Sequence, residues 1–275
     1  MRSHSLTTSA VRLFRKIIYQ HYKKHGRDLP WRKTTNPYHI LVSEVMLQQT
    51  QVERVLQKYS EFIAVFPDFQ SLSKAPLRKA LRVWQGMGYN RRAIALKEIA
   101  KIVVNDFKGV LPDSVNTLIT FPGIGRATAS AICAFAYNQP TVFIETNIRR
   151  VFIHCFFHDR DNIRDADILP LIEKKLDKRN PREWYYVLMD YGVMLKKQFP
   201  KQNQRSAHYQ KQAPFQGSNR QMRGKILKAL IDRPATSAKI TSMLKCNPKQ
   251  VRKVLAQLKK EGFIIKKGTM YSIGR

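Results

Sequence analysis

The stretch from Leu118 to Asn147, LITFPGIGRATASAICAFAYNQPTVFIETN, most constrains what this chain can fold into. A short helical run ends at Phe121, Pro122-Gly123-Ile124-Gly125 forms a tight turn, and a second helix starts at about Arg126. Such a turn needs positive φ or close backbone approach, which glycine permits at no steric cost. The amides opening the second helix then point outward and can bind an anion such as a phosphate. An apolar run follows. It ends at one carboxylate, Glu145, twenty residues beyond Gly125, with Asn147 two positions later.

The charge balance narrows the partner. Fifty basic residues against 19 acidic ones give +31 over 275 residues. That excess favours a polyanion: nucleic acid, an anionic membrane surface or the ribosome. No run approaches a membrane span and the N-terminus lacks a signal-peptide pattern, so the expected location is cytoplasmic, at the nucleoid in a bacterium. Cys133, Cys155 and Cys246 are too far apart for a metal site or a disulfide framework and read as small hydrophobes.

Helical spacing marks residues 8–24, with Val11, Phe14, Ile17, Ile18 and Tyr22 on one face. A loop with two prolines carries Trp31 and Arg32, which read either as a packing anchor or as the frame of a base-sized pocket. Residues 41–67 predict two helices broken near Gln49. Among their apolar positions Glu44 is either solvated or held partly buried with a raised pKa, suited to general-acid work. Helices are expected over 69–84, 91–106, 148–157, 166–178 and 181–195, with a Gly-rich turn, GMGYNRR, before the second. From Lys196 to Gly217 periodicity disappears. Five basic residues and no acidic one suggest a flexible, phosphate-seeking linker. The last 58 residues hold 15 basic and two acidic residues. Three helices followed by two β runs around a Lys-Lys-Gly turn resemble a winged helix, with DNA contact favoured over protein docking on charge.

Six segments in order, LPWR, PYHILVSEVMLQQTQV, WQGMGYNRRA, LITFPGIGRATASAI, ETNIRRV and MDYGVM, resemble the MutY branch of the endonuclease III-like, helix-hairpin-helix DNA glycosylases. The likeness spans Leu29 to Gly192, about three fifths of the chain, and SEVMLQQT is its most specific piece. It implies an all-α, two-lobed fold. Residues 1–29 with 141–200 would form the lobe carrying the catalytic carboxylate, 30–140 a helical barrel lobe, 201–217 a basic linker and 218–275 the appended winged helix. The implied reaction is hydrolysis of the N-glycosidic bond of an adenine flipped from double-stranded DNA opposite 8-oxoguanine or guanine.

By the same resemblance Glu44 is the general acid, Glu145 stabilises positive charge developing on the sugar, and Asn147 orients it. Arg27, Trp31 and Arg32 fall on base-pocket positions, Gln48 on a wedge filling the vacated stack, and Tyr89 near the opposing base. The amides of Gly123 and Gly125, with Arg126 and Thr128, would hold phosphate. The carbonyls of Ile119, Phe121 and Ile124 would hold a monovalent cation.

Four departures qualify this expectation. Glu145 replaces the family's aspartate, so its carboxylate lies one methylene further out, and catalysis is sensitive to displacements of about 1 Å. Ala127 stands where bifunctional relatives carry a Schiff-base lysine, which implies a monofunctional enzyme without lyase activity. Leu195 to Tyr209 contains no cysteine, so no iron–sulfur cluster is expected there and no other cofactor is required. The winged helix stands in place of the family's 8-oxoguanine-reading domain. A monomer is expected. The alternatives are a glycosylase for another mismatched or damaged base, a non-catalytic damage binder, and a winged-helix regulator with an enzyme-derived sensor.

Overall fold

The computed structural model describes residues 8–212 and 214–274. Its helices are α1 (Thr8–His25), α2 (Pro37–Leu47), α3 (Val52–Val65), α4 (Phe69–Lys74), α5 (Leu77–Val83), α6 (Arg91–Asp106) and α7 (Val115–Leu118). They continue as α8 (Arg126–Tyr137), α9 (Thr146–Phe156), α10 (Asp165–Lys175), α11 (Pro181–Gln198), α12 (Asn219–Asp232), α13 (Ser237–Leu244) and α14 (Pro248–Lys260). The strands are β1 (Ala235–Thr236), β2 (Ile264–Lys267) and β3 (Met270–Ile273). The expectation of an all-α architecture with a small C-terminal sheet holds.

Two compact units emerge. The first comprises the chain up to Ile40, Asp113–Ile119 and Gly125–Lys211; the second comprises Leu41–Pro112, Thr120–Ile124 and everything from Gln212. These borders differ from the expected lobes. Helix α8 belongs with the carboxylate-bearing unit because Ala131, Ala134, Phe135 and Ala136 enter one core with Ile148, Phe152, Trp184 and Tyr185. Apolar patterning marks α8 as buried but does not say against what.

The first unit is built around α9 and α11. Trp184 and Tyr185 are fully buried, and Phe14 of α1 packs edge-on to Phe152 and Trp184 at 5.9 and 6.0 Å. Burial of an aromatic side chain in such a cluster contributes roughly 1.5–3 kcal/mol each. The two helices approach closely at Gly192, where a Cβ would lie 2.5 Å from the Asn147 carbonyl oxygen. A side chain there would force α9 away from α11.

In the second unit Phe62, Phe66 and Trp84 pack at 5.0 and 5.8 Å between ring centroids. The expected helix over 69–84 is two helices. Pro76 disfavours helical geometry at the residue before it, and Ala75 is extended at φ −62°, ψ 140°. Asp68 caps α4 through the Ser71 amide at 2.7 Å. The buried Arg92 guanidinium gathers the carbonyls of Val45, Met46 and Gln48 at 3.0, 2.7 and 2.6 Å and the Thr50 hydroxyl at 3.0 Å. It thereby fixes the break after α2 that the sequence places near Gln49, a residue with φ 54°.

Helices α12 to α14 enclose Ile226, Leu230, Ile240, Val251, Leu255 and Leu258 beneath an antiparallel sheet of order β1-β3-β2. Ile264 faces Ile273 and Lys267 faces Met270. This is the expected winged helix with one added two-residue strand. It is not tethered as an independent body. Arg78 of α5 donates to the last carbonyls of α12, Ile231 and Asp232, at 2.5 Å each. Glu261 takes Arg91 of α6 at 2.6 Å and Arg223 of α12 at 2.5 Å.

The first part of the expected flexible linker is structured. Residues 196–198 complete α11, Gln202–Arg205 forms a 3-10 turn, and Ser206 pairs in parallel with Ile163. Side chain-to-backbone bonds over 45 to 57 residues hold this segment, and residue periodicity cannot register those.

Candidate active site and nucleic-acid interface

An extended segment delivers Glu145 to the N-terminus of α9, with φ −129° and ψ 176°. The expected helix thus begins two residues early, because Glu145 itself is the N-cap. Its Oε1 accepts from the Asn147 and Ile148 backbone amides at 2.7 Å each. These are the second and third amides of the helix, the donors a capping side chain normally satisfies. Glutamate is a rare cap because it is one methylene too long, and here that extra length folds the carboxylate back over the first turn.

The second oxygen, Oε2, accepts from Asn147 Nδ2 at 3.3 Å. Asn147 is itself held: its Oδ1 accepts from Arg150 Nη1 at 2.8 Å, and the same nitrogen donates to the Gly192 carbonyl at 2.8 Å. Arg149, one residue earlier, is committed to Asp165 at 2.7 and 2.8 Å. Removal from water pushes the Glu145 carboxyl above its ordinary range, while the two amide bonds, Arg150 and Arg149 act in the opposite direction. The structure therefore brings Glu145 and Asn147 together and adds Arg150, which sequence reasoning passed over although it lies in ETNIRRV.

Arg27 and Arg32 converge on one carboxylate. Asp190 of α11 accepts from Arg27 Nε at 2.6 Å, Arg27 N at 2.8 Å, and Arg32 Nη1 and Nη2 at 2.9 and 2.8 Å. The Asp190 side chain is 1% exposed, and its pKa is lowered. Burial alone would raise it, but the guanidinium bonds and charges of Arg32 and Arg27 outweigh that. Arg32 also lies 4.6 Å above the Tyr186 ring, and Trp31 is buried beside it in sequence. Asp190 carried no role in sequence reasoning, although MDYGVM contains it. It fixes the loop that offers Trp31, so both readings of that loop share one anchor.

Of the remaining residues, Glu44, Gln48, Tyr89, Phe121, Gly123 and Ile124 belong to the second unit, and Ile119, Gly125, Arg126 and Thr128 to the first. Glu44 is half-buried on α2 between buried Ser43 and Val45, the partly buried of the two environments the sequence allowed. Gln48 Nε2 donates to the Gly123 carbonyl at 3.2 Å, which joins the expected wedge to the hairpin turn. Gly123 has φ 76°, and a Cβ on it would meet the Ala95 Cβ at 3.2 Å. Gly125 differs: its φ is −89°, and a Cβ there would meet nothing within 4 Å. The backbone requires glycine at the first position and not at the second. Arg126 is exposed and Thr128 half-buried on the opening turn of α8. The Phe121 carbonyl accepts the Ile124 amide at 3.2 Å, and Ile119 is partly exposed.

Tyr89 has φ 46° in a turn with Gly86 and Gly88 at φ 89° and 69°. Its ring lies 5.4 Å from the Arg92 guanidinium and 5.5 Å from that of Arg220. Its hydroxyl accepts from Arg220 at 2.6 Å and from Gln212. Cys133 is buried, and Cys155 and Cys246 are half-buried, all as free thiols; burial pushes Cys155 up to about 12. Among the described residues no helix is long and apolar enough to cross a membrane.

Comparison with known proteins places these residues in a family. The helix-hairpin-helix base excision DNA repair superfamily matches residues 42–176, and the arsR family of bacterial regulatory proteins matches 220–266. The adenine DNA glycosylase of Mycolicibacterium smegmatis is 33% identical over 264 residues, covering 88% of this chain and 89% of that protein. The adenine DNA glycosylase of Buchnera aphidicola subsp. Baizongia pistaciae is 37% identical over 188 residues, covering 66% and 53% respectively. Against that relative, and against the one from Mycobacterium tuberculosis, the chain spans little more than half the relative's length.

Among solved structures, a thermostable thymine-DNA glycosylase superposes with a TM-score of 0.61 at 26% identity, over 67% of this chain and 86% of that one. A trapped endonuclease III–DNA covalent intermediate shares the fold at a TM-score of 0.56 and 18% identity, over 76% and 91%. With SEVMLQQT, the Pro122–Gly125 turn and the capped Glu145 all in family order, the chain belongs to the MutY-like adenine DNA glycosylases of the helix-hairpin-helix superfamily.

Proposed function

We propose that this protein is a monofunctional DNA glycosylase of base excision repair that hydrolyses the N-glycosidic bond of adenine mispaired with 8-oxoguanine or guanine in double-stranded DNA. The observation that carries this reading is the Glu145 carboxylate, fixed by two amides and by Asn147 on Arg150 at the mouth of α9. A carboxylate held this firmly reorganises little as charge develops, which is where electrostatic catalysis gains most. Oε1 is taken up by capping, so Oε2 is the oxygen that faces the sugar.

In the proposed reaction Glu44 protonates the adenine ring, the bond from the sugar C1′ to the base breaks, and its electron pair leaves with the base. Positive charge on the sugar is stabilised by Glu145 until water adds its oxygen to C1′ and loses a proton. Flipping the base costs a few kcal/mol, which Gln48, the Trp31 loop and Tyr89 help offset. Arg27 and Arg32 act by holding that loop through Asp190. The Gly123 and Gly125 amides, Arg126 and Thr128 take phosphate, and the open side of Gly125 suits a ligand approaching the backbone. A monovalent cation on the carbonyls of Ile119, Phe121 and Ile124 belongs to the same reading, the Phe121 oxygen keeping one lone pair for it. The chain acts as a monomer without an iron–sulfur cluster, and its surplus of 31 positive charges drives association with the duplex.

Single-turnover cleavage of duplexes carrying adenine opposite 8-oxoguanine, adenine opposite guanine, thymine opposite guanine, or uracil tests this, with products read before and after alkali. Alkali-dependent strand breaks at adenine, lost in Glu145→Ala by roughly 10³-fold or more, are expected. Cleavage at thymine instead would favour the activity named for the thymine-DNA glycosylase to which the fold is similar. Tight binding without cleavage of any duplex would sink the enzymatic reading.

A further inference from the structure

Helix α9, which carries Glu145 at its N-terminus, is braced at both ends by one segment that follows α11. At the N-terminal end Asn203 Nδ2 donates to the carbonyl of Thr146, the residue after Glu145, at 3.1 Å. At the C-terminal end Arg205 donates to the carbonyls of Phe157 and His158, the latter at 2.9 Å. The same guanidinium reaches the Arg160 carbonyl at 2.5 Å and the Asp161 carboxylate at 3.1 Å. Between these anchors Phe199 lies 4.7 Å from the His154 ring on α9. The Arg205 carbonyl accepts from Ile163 at 3.0 Å, and the Ala207 amide donates back to the Ile163 carbonyl at 2.9 Å.

A peptide of a few residues thus straps a helix about 16 Å long. It uses a flat guanidinium whose several donors suit several carbonyls at once. The segment bonds within itself through the Gln202, Gln204 and Ser206 amides. The side chains of Asn203 and Arg205 instead reach carbonyls at the two ends of the one helix that presents Glu145, and Asn203 Oδ1 remains buried without a hydrogen-bond partner. The amide has been oriented for the Thr146 carbonyl at the expense of its own oxygen. Lys196, Lys197, Lys201 and Lys211 on the outer side of the segment are all exposed. Inward strapping and outward charge therefore belong to different residues.

We infer that Asn203 and Arg205 are positioning residues for Glu145: the post-α11 segment is a strap that holds the first turn of α9 closed on its carboxylate. The inference rests on the proposed role of Glu145. If the strap is loosened, the first turn of α9 frays, and the carboxylate loses the Asn147 and Ile148 amides that hold its pKa down. The ionised form is then harder to keep, so the acid limb of the rate–pH profile moves to higher pH. Other charges around α9 are already engaged: Arg149 on Asp165, Arg150 on Asn147, and Asp190 on Arg27 and Arg32. His154 lies further along α9 with its pKa lowered by burial, His158 and Arg205.

The test uses the full chain and a duplex with adenine opposite 8-oxoguanine. Asn203→Ala, Asn203→Asp, Arg205→Ala and Arg205→Lys are measured for single-turnover rate against pH, duplex affinity and thermal midpoint. The aspartate keeps the shape of Asn203 and removes its donor, so it serves even where Arg205→Ala fails to fold. Both Asn203 variants are expected to lose about tenfold or more in rate, as displacement of a catalytic group does. Their acid limb should move upward, with duplex affinity within twofold of the parent. Arg205→Lys should recover only part of what Arg205→Ala loses. Unchanged rate and acid limb in both Asn203 variants, with Glu145→Ala inactive, would overturn the strap and leave Glu145 in place. Weakened duplex affinity with an unmoved limb would overturn it in favour of a DNA-contact loop. Full activity in Glu145→Ala would instead remove the reading on which the strap depends.

Discussion

Each unit of this protein holds one carboxylate between two arginines, and the two clamps differ in depth. Asp190 in the first unit is 1% exposed and receives four hydrogen bonds from Arg27 and Arg32. Glu261 in the second unit is 19% exposed and is shared by Arg91, itself 73% exposed, and Arg223, 16% exposed. Asp190 ties a loop that carries Trp31 to the helix beneath it. Glu261, at the end of α14, ties the winged helix to α6 and, within the winged helix, α14 to α12. Burial makes the first clamp indispensable once formed, because removing one partner strands charges that water cannot reach. Exposure makes the second adjustable, because water can replace whatever is lost. Lys175 completes the series: it is fully buried and its Nζ has no hydrogen-bond partner, only the Phe156 ring at 5.6 Å.

The comparison breaks most easily at its deepest member. Asp190→Ala leaves two guanidiniums facing each other, and a loss of about 3–5 kcal/mol is expected from chemical denaturation. Adenine excision should fall as well, because the loop presenting Trp31 loses its anchor. A loss under 1 kcal/mol would mean that the pair is solvated and that the two clamps are equivalent.

Glu261→Gln should have a smaller effect, on the order of 1 kcal/mol after discounting the exposed Arg91. It should appear as earlier proteolysis of the winged helix, with the core of the first unit intact. Its pH dependence has a definite sign. The bonds from Arg91 and Arg223 hold the Glu261 carboxyl down to about 2 from an ordinary value of 4.5. A depressed carboxylate contributes stability above its unfolded pKa, and that contribution is lost as pH falls from 4.5 toward 2. A parent protein whose stability does not fall across that window more steeply than that of Glu261→Gln would contradict the clamp.

Lys175→Met should run the other way, raising the thermal midpoint by an amount equivalent to roughly 1 kcal/mol. Burial lowers the Lys175 pKa, with Lys174 and Arg15 adding to the effect. The unfolded lysine takes its proton more readily than the folded one, so the gain from methionine is largest below the folded pKa and shrinks as pH rises through it. A methionine variant less stable than the parent would mean that the ammonium is held by more than the Phe156 ring.

Local chemistry made the elements legible. Helical periodicity located α1, α6 and α11, and the Pro-Gly-Ile-Gly turn located the hairpin. The candidate site was legible wherever a residue type sits in an ordered motif: Glu44, Gln48, Glu145 and Asn147. It was not legible where the partner is distant in sequence. Asp190 lies 163 residues from Arg27 and 158 from Arg32, and Arg205 lies 48 from the Phe157 carbonyl. Asp190, Arg150 and Arg92 appeared as single letters inside motifs, and the segment after α11 as a linker, because side chain-to-backbone bonds have no period.

By itself the sequence determined most of the helical segments, that a tight glycine turn opening a helix precedes one carboxylate, and that the chain is strongly basic. These depend on steric limits, spacing and charge within a few residues. Only the tertiary structure decided that Glu145 caps α9 instead of preceding it, that Gly123 and not Gly125 needs positive φ, and that the winged helix is clamped to the helices of the second unit. Those outcomes follow from where folding brings a distant donor or a neighbouring helix, and hydrogen-bond satisfaction under burial, a non-local requirement, selects among them.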